Sequence, residues 1–321
     1  MHFQRLDLNL LVALDALIED RSVSMAARRL FLSQPALSGA LNRLRDYFGD
    51  DLLVPSGRQM VLTAKAEELR QPVREALMLI RTKITTPVGF DPATAERQFS
   101  IIASDYAFNV LLADAFQAAA VLAPGLSFDL IPTDRQASER IERGESDLFL
   151  TISPHMFEGH PRRSLWGDTH AVISWSGSRH QHGLSAESFL SAGHVVAYFG
   201  SERLPAFTET HFTQLGIRRR IDMRLPNFSA LPQAILGTDR LATMYRRHAE
   251  YFARFMPLTI HEPPLPLPAI TEEAQWHSAR GKDEGLQWLI GLLTEQAAKL
   301  SPVGALPSEP DPFDRIEPTN A

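Results

Sequence analysis

Residues 22–48 read Ser-Val-Ser-Met-Ala-Ala-Arg-Arg-Leu-Phe-Leu-Ser-Gln-Pro-Ala-Leu-Ser-Gly-Ala-Leu-Asn-Arg-Leu-Arg-Asp-Tyr-Phe. The pattern predicts two short helices joined by a tight turn through Phe31 and Leu32. The first is rich in small residues around Ala26 and Ala27, which permits a close crossing by the second. Ser33 suits the N-cap of the second helix, because its hydroxyl can accept from an otherwise orphaned first-turn N–H; Pro35 is tolerated in that turn. Leu37, Leu41, Leu44 and Phe48 recur at helical spacing and form a buried stripe. Gln34, Ser38, Asn42 and Arg45 share a neighbouring polar face. A short helix that shows amides, hydroxyls and a guanidinium, held by its neighbour, meets the needs of major-groove reading. A plain helical hairpin would carry the same leucines, so charge has to separate the two readings. Arg21, Arg28, Arg29, Arg43 and Arg45 are the only charged residues in 21–45, whereas the whole chain carries a net charge of −6. A basic surface on an acidic protein points to an anionic partner for that region alone.

The rest of the composition sets the frame. A chain of 321 residues allows two or three compact units, and 44% hydrophobic with 22% charged residues is ordinary for a globular protein. The absence of cysteine excludes disulfides, thiolate catalysis and cysteine-ligated metals. The apolar stretch 6–17 is interrupted by Asp7 and Asp15 and no small-residue cleavage site follows, so it does not read as a signal peptide. No segment approaches the roughly 18 apolar residues of a membrane span, and a cytoplasmic location is expected. There is no Gly-x-Ser-x-Gly turn, phosphate loop or zinc-protease motif, so an enzyme is not expected. His180 and His182 flank Gln181 in a polar loop, and His160, His194, His248 and His277 share no ligand spacing on one element. Neither metal nor cofactor is expected.

Beyond the hairpin, residues 64–85 are helical again, with Leu69, Val73, Leu77 and Ile80 forming a narrow seam. The seam packs either on its own domain or against the helix of a second chain. Pro72 is expected to kink or break this helix, because it has no N–H to donate to the preceding turn. Thr86-Pro87-Val88-Gly89 then forms a hinge. Residues 97–300 alternate strand-like and helical runs: strands near 99–103, 128–131, 148–151, 171–175, 195–198, 221–225 and 241–244, with helices between them. This rhythm implies parallel sheets with helices on both faces. Two such lobes, with the chain crossing near Leu165 and Pro266, leave a cleft between them.

The first 63 residues resemble the LysR-type bacterial transcriptional regulators. Arg5-Leu6-Asp7-Leu8-Asn9-Leu10-Leu11 is similar to their first helix; Ala26-Ala27, Leu30, Ser33-Gln34-Pro35-Ala36 and Ser38 match their helix-turn-helix; Asp51-Leu52-Leu53-Val54, Arg58 and Leu62-Thr63 resemble the winged turn. The opening Leu-Asp-Leu-Asn-Leu-Leu resembles the branch of nodulation and aromatic-degradation regulators, and the resemblance extends over about residues 5–300. It implies an α+β multidomain chain. A winged helix-turn-helix occupies 1–63. A linker and dimerisation helix with a hinge occupies 64–89. A two-lobed α/β effector domain of periplasmic-binding-protein type occupies 90–300, with lobe I at about 90–165 and 267–300 and lobe II at about 166–266. A Pro-rich disordered tail occupies 301–321. It also implies DNA contacts from Arg28, Ser33, Gln34, Pro35, Ser38, Asn42 and Arg43, with Arg58 on the wing near phosphate or the minor groove.

Ligands of open α/β sheets bind beyond the carboxyl ends of the strands. That rule nominates Ser104 and Asp105, Thr151, Ser201, Asn227 and Phe228 as effector contacts. Each has a structural alternative: Ser104 as a helix cap, Thr151 as a satisfied strand end. The resemblance to regulators responding to aromatic acids adds His170 and Arg247, as donors to a phenol or carboxylate. Here the alternatives are a sheet-edge histidine and a surface ion pair, with Arg246 adjacent. Phe108, Trp166, Phe199, Phe228 and Trp276 are candidate lining aromatics, and Arg218-Arg219-Arg220 reads as a solvated turn or a subunit contact. The expectation is a transcriptional regulator, activator or repressor, that binds promoter DNA as a homodimer or homotetramer. It senses a small-molecule inducer: an aromatic acid, a phenol or a flavonoid-like compound. RNA polymerase is a further candidate partner. The alternatives are a DNA-binding regulator without an effector and a solute-binding protein.

Overall fold

The computed structural model describes residues 7–57, 59–80, 84 and 89–300. Arg5 and Leu6, Arg58 of the expected wing, residues 86–88 of the expected hinge and the tail 301–321 lie outside the described residues. The chain forms two compact units, one of residues 1–88 with 142–145 and one of 89–141 with 146–321.

The first unit opens with α1 (Asn9–Asp20), α2 (Val23–Arg29) and α3 (Gln34–Phe48). The local chemistry sets their ends. Ser22 and Ser33 are extended N-caps whose hydroxyls accept from Met25 N and Ala36 N, each at 3.3 Å. Phe31 turns the chain with φ +54°, and Leu32 N then donates back to Ala27 O at 2.9 Å. Gly49, at φ +64°, stops α3 and donates to Arg45 O at 2.8 Å. Ala26 and Ala27 are buried where the helices cross, and Leu37, Leu41 and Leu44 fill the core beside Leu14, Leu17 and Ile18. The hairpin β1 (Leu53–Ser56) and β2 (Gln59–Leu62) follows in antiparallel register from Leu53↔Leu62 to Ser56↔Gln59. Thr63 then caps α4 (Ala64–Leu79) through Ala66 N.

Helix α4 departs from expectation at Pro72. It runs unbroken through Pro72. The missing N–H costs one intrahelical bond, and the anchoring of Val73 and Leu77 in the core supports the turns that follow. Of the seam residues, Val73 and Leu77 are buried and Leu69 packs beside them, within their own unit. Leu79, on another face, is exposed.

In the second unit the chain runs through β3 (Arg97–Ala103), α5 (Asp105–Ala107), α6 (Ala113–Leu122), β4 (Leu126–Pro132), α7 (Ala137–Glu142), β5 (Leu148–Ile152) and β6 (Arg162–Asp168). It then builds β7 (His170–Trp175), α8 (Ala186–Ser191), β8 (Gly193–Phe199), β9 (Leu204–Pro205), α9 (Phe207–Gln214), β10 (Arg220–Leu225), α10 (Leu231–Ile235), β11 (Leu241–Tyr245), α11 (Arg246–Ala253) and β12 (Leu258–His261). It closes with β13 (Ile270–Gln275) and α12 (Glu284–Ala298). One sheet has the order β4-β3-β5-β13-β6; the other has β10-β8-β11-β7-β12, with β9 against β8.

Both sheets are mixed, not parallel. β3 pairs parallel with β4 and β5, but the returning β13 is antiparallel to both β5 and β6. In the second sheet β7 is antiparallel to β11 and β12. The reversals occur where the chain crosses between lobes. The first crossing falls at Thr169, between β6 and β7, rather than near Leu165, because Trp166, Gly167 and Asp168 still pair with β13. The second lies between His261 and Ile270. β5 is buried along its whole length, and α12 covers its sheet with Leu286, Leu289 and Leu293. Arg97 holds the start of α12 through Asp283, with Nη1 and Nη2 donating at 2.6 and 2.8 Å.

Candidate functional site

The exposed side of α3 carries polar groups that nothing in the described chain uses. Gln34, Pro35, Asn42 and Arg43 are exposed and Ser38 is half-buried. Among the described residues, the side chains of Gln34, Ser38 and Asn42 make no hydrogen bond to the protein. Ser33 spends its hydroxyl on the cap. The five arginines divide. Arg21 lies 3.8 Å from Glu67 and Arg29 lies 3.3 Å from Asp20. Arg45, expected on the polar face, instead donates from Nε to Asp51 O and from Nη2 to Leu53 O, both at 2.8 Å. It braces the loop into the hairpin. Arg28 and Arg43 stay exposed, Arg43 with a 4.0 Å contact to Asp7. Asp50 stiffens the same loop, accepting from Leu52 N at 2.7 Å and from Thr63 Oγ1 at 2.6 Å; the Thr63 hydroxyl holds its carboxyl below the usual range.

Between the lobes of the second unit lies a cavity of about 540 Å³. Lobe I supplies Ser104, Tyr106, Thr151, His155 and Glu272; lobe II supplies Phe199, Phe207, Phe228 and Tyr245. The size is that of a small-molecule site. Behind the wall residue Tyr106 runs a polar chain: Trp166 Nε1 donates to Tyr106 Oη at 2.9 Å, and Tyr106 Oη donates to Asp168 Oδ2 at 2.8 Å. Burial raises Asp168 to about 6 and Glu272 to about 8, and Asp168's charge adds to the shift of Glu272. Tyr106 and Tyr245 are pushed upward by the same desolvation. Burial alone lowers His155.

The expected contacts distribute unevenly. Ser104, Thr151 and Phe228 line this cavity, and Ser104 also caps α5 through Ala107 N at 3.2 Å. Asp105 and Asn227 line an adjoining space of about 530 Å³, together with Ser104 and Phe108. Ser201 borders a third, of about 100 Å³. His170 and Arg247 line none of the three. His170 starts β7 and is buried beside Tyr245, with ring centroids 5.0 Å apart; desolvation lowers it to about 4, so its imidazole is neutral. Arg247 is the second residue of α11, where its backbone N donates to Asp168 Oδ2 at 3.2 Å and its Nε donates to Gly167 O at 3.3 Å. Both are held at the lobe crossing. Of the candidate aromatics, Phe199 and Phe228 line the main cavity, Phe108 the second, and Trp166 stands behind Tyr106. Tyr106, Tyr245, His155 and Glu272 did not stand out in the sequence. Glu272 alone had a readable signal, since period two places it with Ile270 and Ala274. Of the run Arg218-Arg219-Arg220, the outer two are exposed, whereas the Arg219 side chain is buried, donates to Glu209 Oε1 at 2.6 Å and stacks on Phe212. His160 and His277 meet with rings 4.7 Å apart despite their separation in sequence, and their Nδ1 atoms accept from Ser278 N and Ala279 N.

Two family models match the chain: the bacterial regulatory helix-turn-helix protein of the lysR family over residues 8–67, and the LysR substrate binding domain over residues 93–298. Nodulation protein D of Bradyrhizobium sp. strain ANU 289 is 40% identical over 302 residues, covering 94% of this chain and 89% of the relative. Nodulation protein D 1 of Rhizobium tropici is 39% identical over 309 residues, covering 96% of this chain and 99% of the relative. Among solved structures, the probable transcriptional regulator PA0477 from Pseudomonas aeruginosa superposes with a TM-score of 0.61 at 27% identity, covering 91% of this chain and 98% of that one. A full-length OxyR variant from Pseudomonas aeruginosa has the same fold, with a TM-score of 0.59 at 15% identity over 94% of this chain and 97% of that one. The helix-turn-helix and hairpin thus fall within the first family model and the two-lobed α/β unit within the second, and the chain belongs to the LysR family of DNA-binding transcriptional regulators.

Proposed function

We propose that the protein switches promoter activity when a small aromatic molecule, of the phenol or flavonoid-like class, occupies the cavity between the two lobes. The observation that carries this reading is the cavity of about 540 Å³, with aromatic residues of both lobes around a few buried polar groups. A ligand touching both lobes can stabilise one lobe arrangement over another, and it shifts that equilibrium by its differential affinity. On the DNA side, Gln34, Ser38 and Asn42 read base edges, while Arg28 and Arg43 meet phosphate; the unused polar groups and exposed charge on that face support these roles. Arg58, outside the described residues, serves the wing. Recognition of a partly twofold operator calls for two copies, with half-sites about one helical turn apart, so the working form is a dimer or a pair of dimers. Action on promoter DNA places it in the cytoplasm, with RNA polymerase as a partner at the promoter.

The test combines both ends of the molecule. Operator affinity is followed by fluorescence anisotropy while phenols, flavones and aromatic acids are screened by thermal shift, since a ligand of the native state raises apparent stability. Combined replacement of Gln34, Ser38 and Asn42 by Ala is expected to remove the preference for operator over random duplex and leave the thermal shift intact. Full operator preference in that variant refutes the α3 assignment. The absence of any stabilising compound refutes the effector assignment.

A further inference from the structure

Strand β13 carries two consecutive glutamates in opposite settings. Glu273 is answered by the protein: Ser164 Oγ donates to it at 3.0 Å and Arg162 Nη1 lies 3.3 Å away. Glu272 alternates onto the face of Ile270 and Ala274, both members of the apolar core. Its cross-strand neighbours are Ile152 and Trp166. It is 1% exposed, lines the cavity, and has no hydrogen bond among the described residues. A carboxyl group buried without a partner carries a large desolvation cost, so the lone acid on this face calls for a ligand or another function.

The surroundings favour its uncharged form. Asp168, at the end of β6, adds negative charge nearby; its oxygens accept from Tyr106 Oη, Thr169 N and Arg247 N. Tyr106, Tyr245 and Thr151 line the cavity with it and carry no positive charge. Burial lowers His155 and so favours its neutral form. Asp134 is paired with Arg140 at 3.0 Å, and Arg135, the sole Lys or Arg of the lining, is exposed and paired with Glu202. The Arg247 guanidinium is directed to Gly167 O. Among the described residues, the one cationic side chain on the wall is exposed and already paired, so no buried cation meets an incoming anion beside Glu272, whereas a protonated carboxyl offers both an O–H donor and an acceptor.

Resting on the effector reading above, we propose that Glu272 is the polar anchor of the cavity: its protonated carboxyl donates to a carbonyl or phenolic oxygen of an uncharged aromatic effector and excludes effectors that arrive as carboxylates. Affinity for such an effector then falls as pH rises and the donor is lost. Below that range the acid is neutral and binding is at full strength.

The test uses the full-length protein and two probes: flavone, which has a ring carbonyl and no titrating group, and benzoate, which is anionic throughout the range. Binding is measured by intrinsic fluorescence between about pH 6 and pH 9. Wild-type protein is expected to lose about tenfold in flavone affinity across that range, and benzoate to bind at least about a hundredfold more weakly than flavone at its best. Glu272→Gln keeps a neutral donor, so it should bind flavone as the wild type does at low pH and lose the pH dependence. Glu272→Leu, similar in bulk, should bind weakly at every pH. Flavone binding whose pH profile is the same in wild type and Glu272→Gln overturns the anchor alone, as does benzoate binding equal to that of flavone. If neither probe binds the wild type, the effector reading and the anchor fall together.

Discussion

Arg45 and Glu272 show how much a single side chain's meaning depends on what the fold brings to it. On a helical wheel Arg45 belongs with Gln34, Ser38 and Asn42; in the fold its guanidinium is committed to two carbonyls at the start of the hairpin. Arg45→Ala should therefore cost stability, about 1–3 kcal/mol for two charge-assisted bonds. Arg43→Ala should leave the melting temperature unchanged, weaken binding to all duplexes alike and reduce the salt slope by about one. Paired thermal melts and salt-titrated anisotropy check both. Equal melting of the two variants would falsify the division between brace and contact. For Glu272, whose folded-state value is raised to about 8, the stabilising contribution is fully present below the ordinary glutamate value and is lost as pH rises through about 8. Glu272→Gln removes that loss. Its melting temperature should exceed the wild type's at about pH 9, by an amount on the order of a few kcal/mol of stability, and the advantage should vanish near pH 5. Melts across the range that run parallel for the two proteins would show that Glu272 is not the titrating group.

Helix α4 carries the same lesson at the level of an element. Its spacing of apolar residues is unambiguous in the sequence, but spacing cannot say which surface receives the seam. Here α1 chiefly, with β2 of the hairpin, takes it, and Val73 and Leu77 join the core of their own unit. Leu77→Ala should then destabilise the DNA-binding unit itself by about 2–5 kcal/mol. Leu79→Glu, at a position 56% exposed, should leave the melt unchanged and weaken self-association, if the open face of α4 pairs two copies. Light scattering beside thermal unfolding separates the two effects, and a Leu77→Ala protein that melts as the wild type does but is monomeric would return the seam to the dimer. The strands show the same limit. β3, β5, β7, β8 and β11 are apolar runs and were legible as strands. β6 begins Arg162-Arg163-Ser164 with its outer residues exposed, β9 has two residues, and β12 is an edge strand of four, so none announced itself. The antiparallel return of β13 follows from the lobe crossing, which local periodicity does not contain. Strand ends led to Ser104, Thr151 and Phe228 on the cavity wall, whereas Tyr106 and Tyr245 carry no local signal and gain their place only from the assembly of both lobes.

Across the whole molecule, an effector switch needs a contact whose strength depends on the separation of the lobes. Asp105 is placed to be one. It belongs to α5 in lobe I, and its carboxylate accepts from Phe228 N at 3.3 Å and Ser229 N at 2.5 Å in lobe II. Phe228 lines the main cavity, so the clamp holds a residue beside the proposed ligand. Two hydrogen bonds from backbone N–H groups to an ionised acceptor stabilise the approach of the lobes by about 1.5–3 kcal/mol each when well formed. An effector that favours this approach adds its own differential affinity to theirs. Asp105→Ala deletes the clamp and leaves the lining side chains in place. The variant should need about ten- to a hundredfold more effector for half-maximal promoter response, because the competent arrangement is populated less before ligand arrives. Effector-free operator affinity should be near that of the wild type, since Asp105 belongs to the second unit and not to the helix-turn-helix. Dose–response curves with a promoter reporter, run beside anisotropy on the free protein, give both quantities. An unchanged half-maximal concentration would show that the Asp105 bridge holds in every state and does not bias the switch. A variant that responds fully without effector would reverse the sign, making the bridged arrangement the resting one.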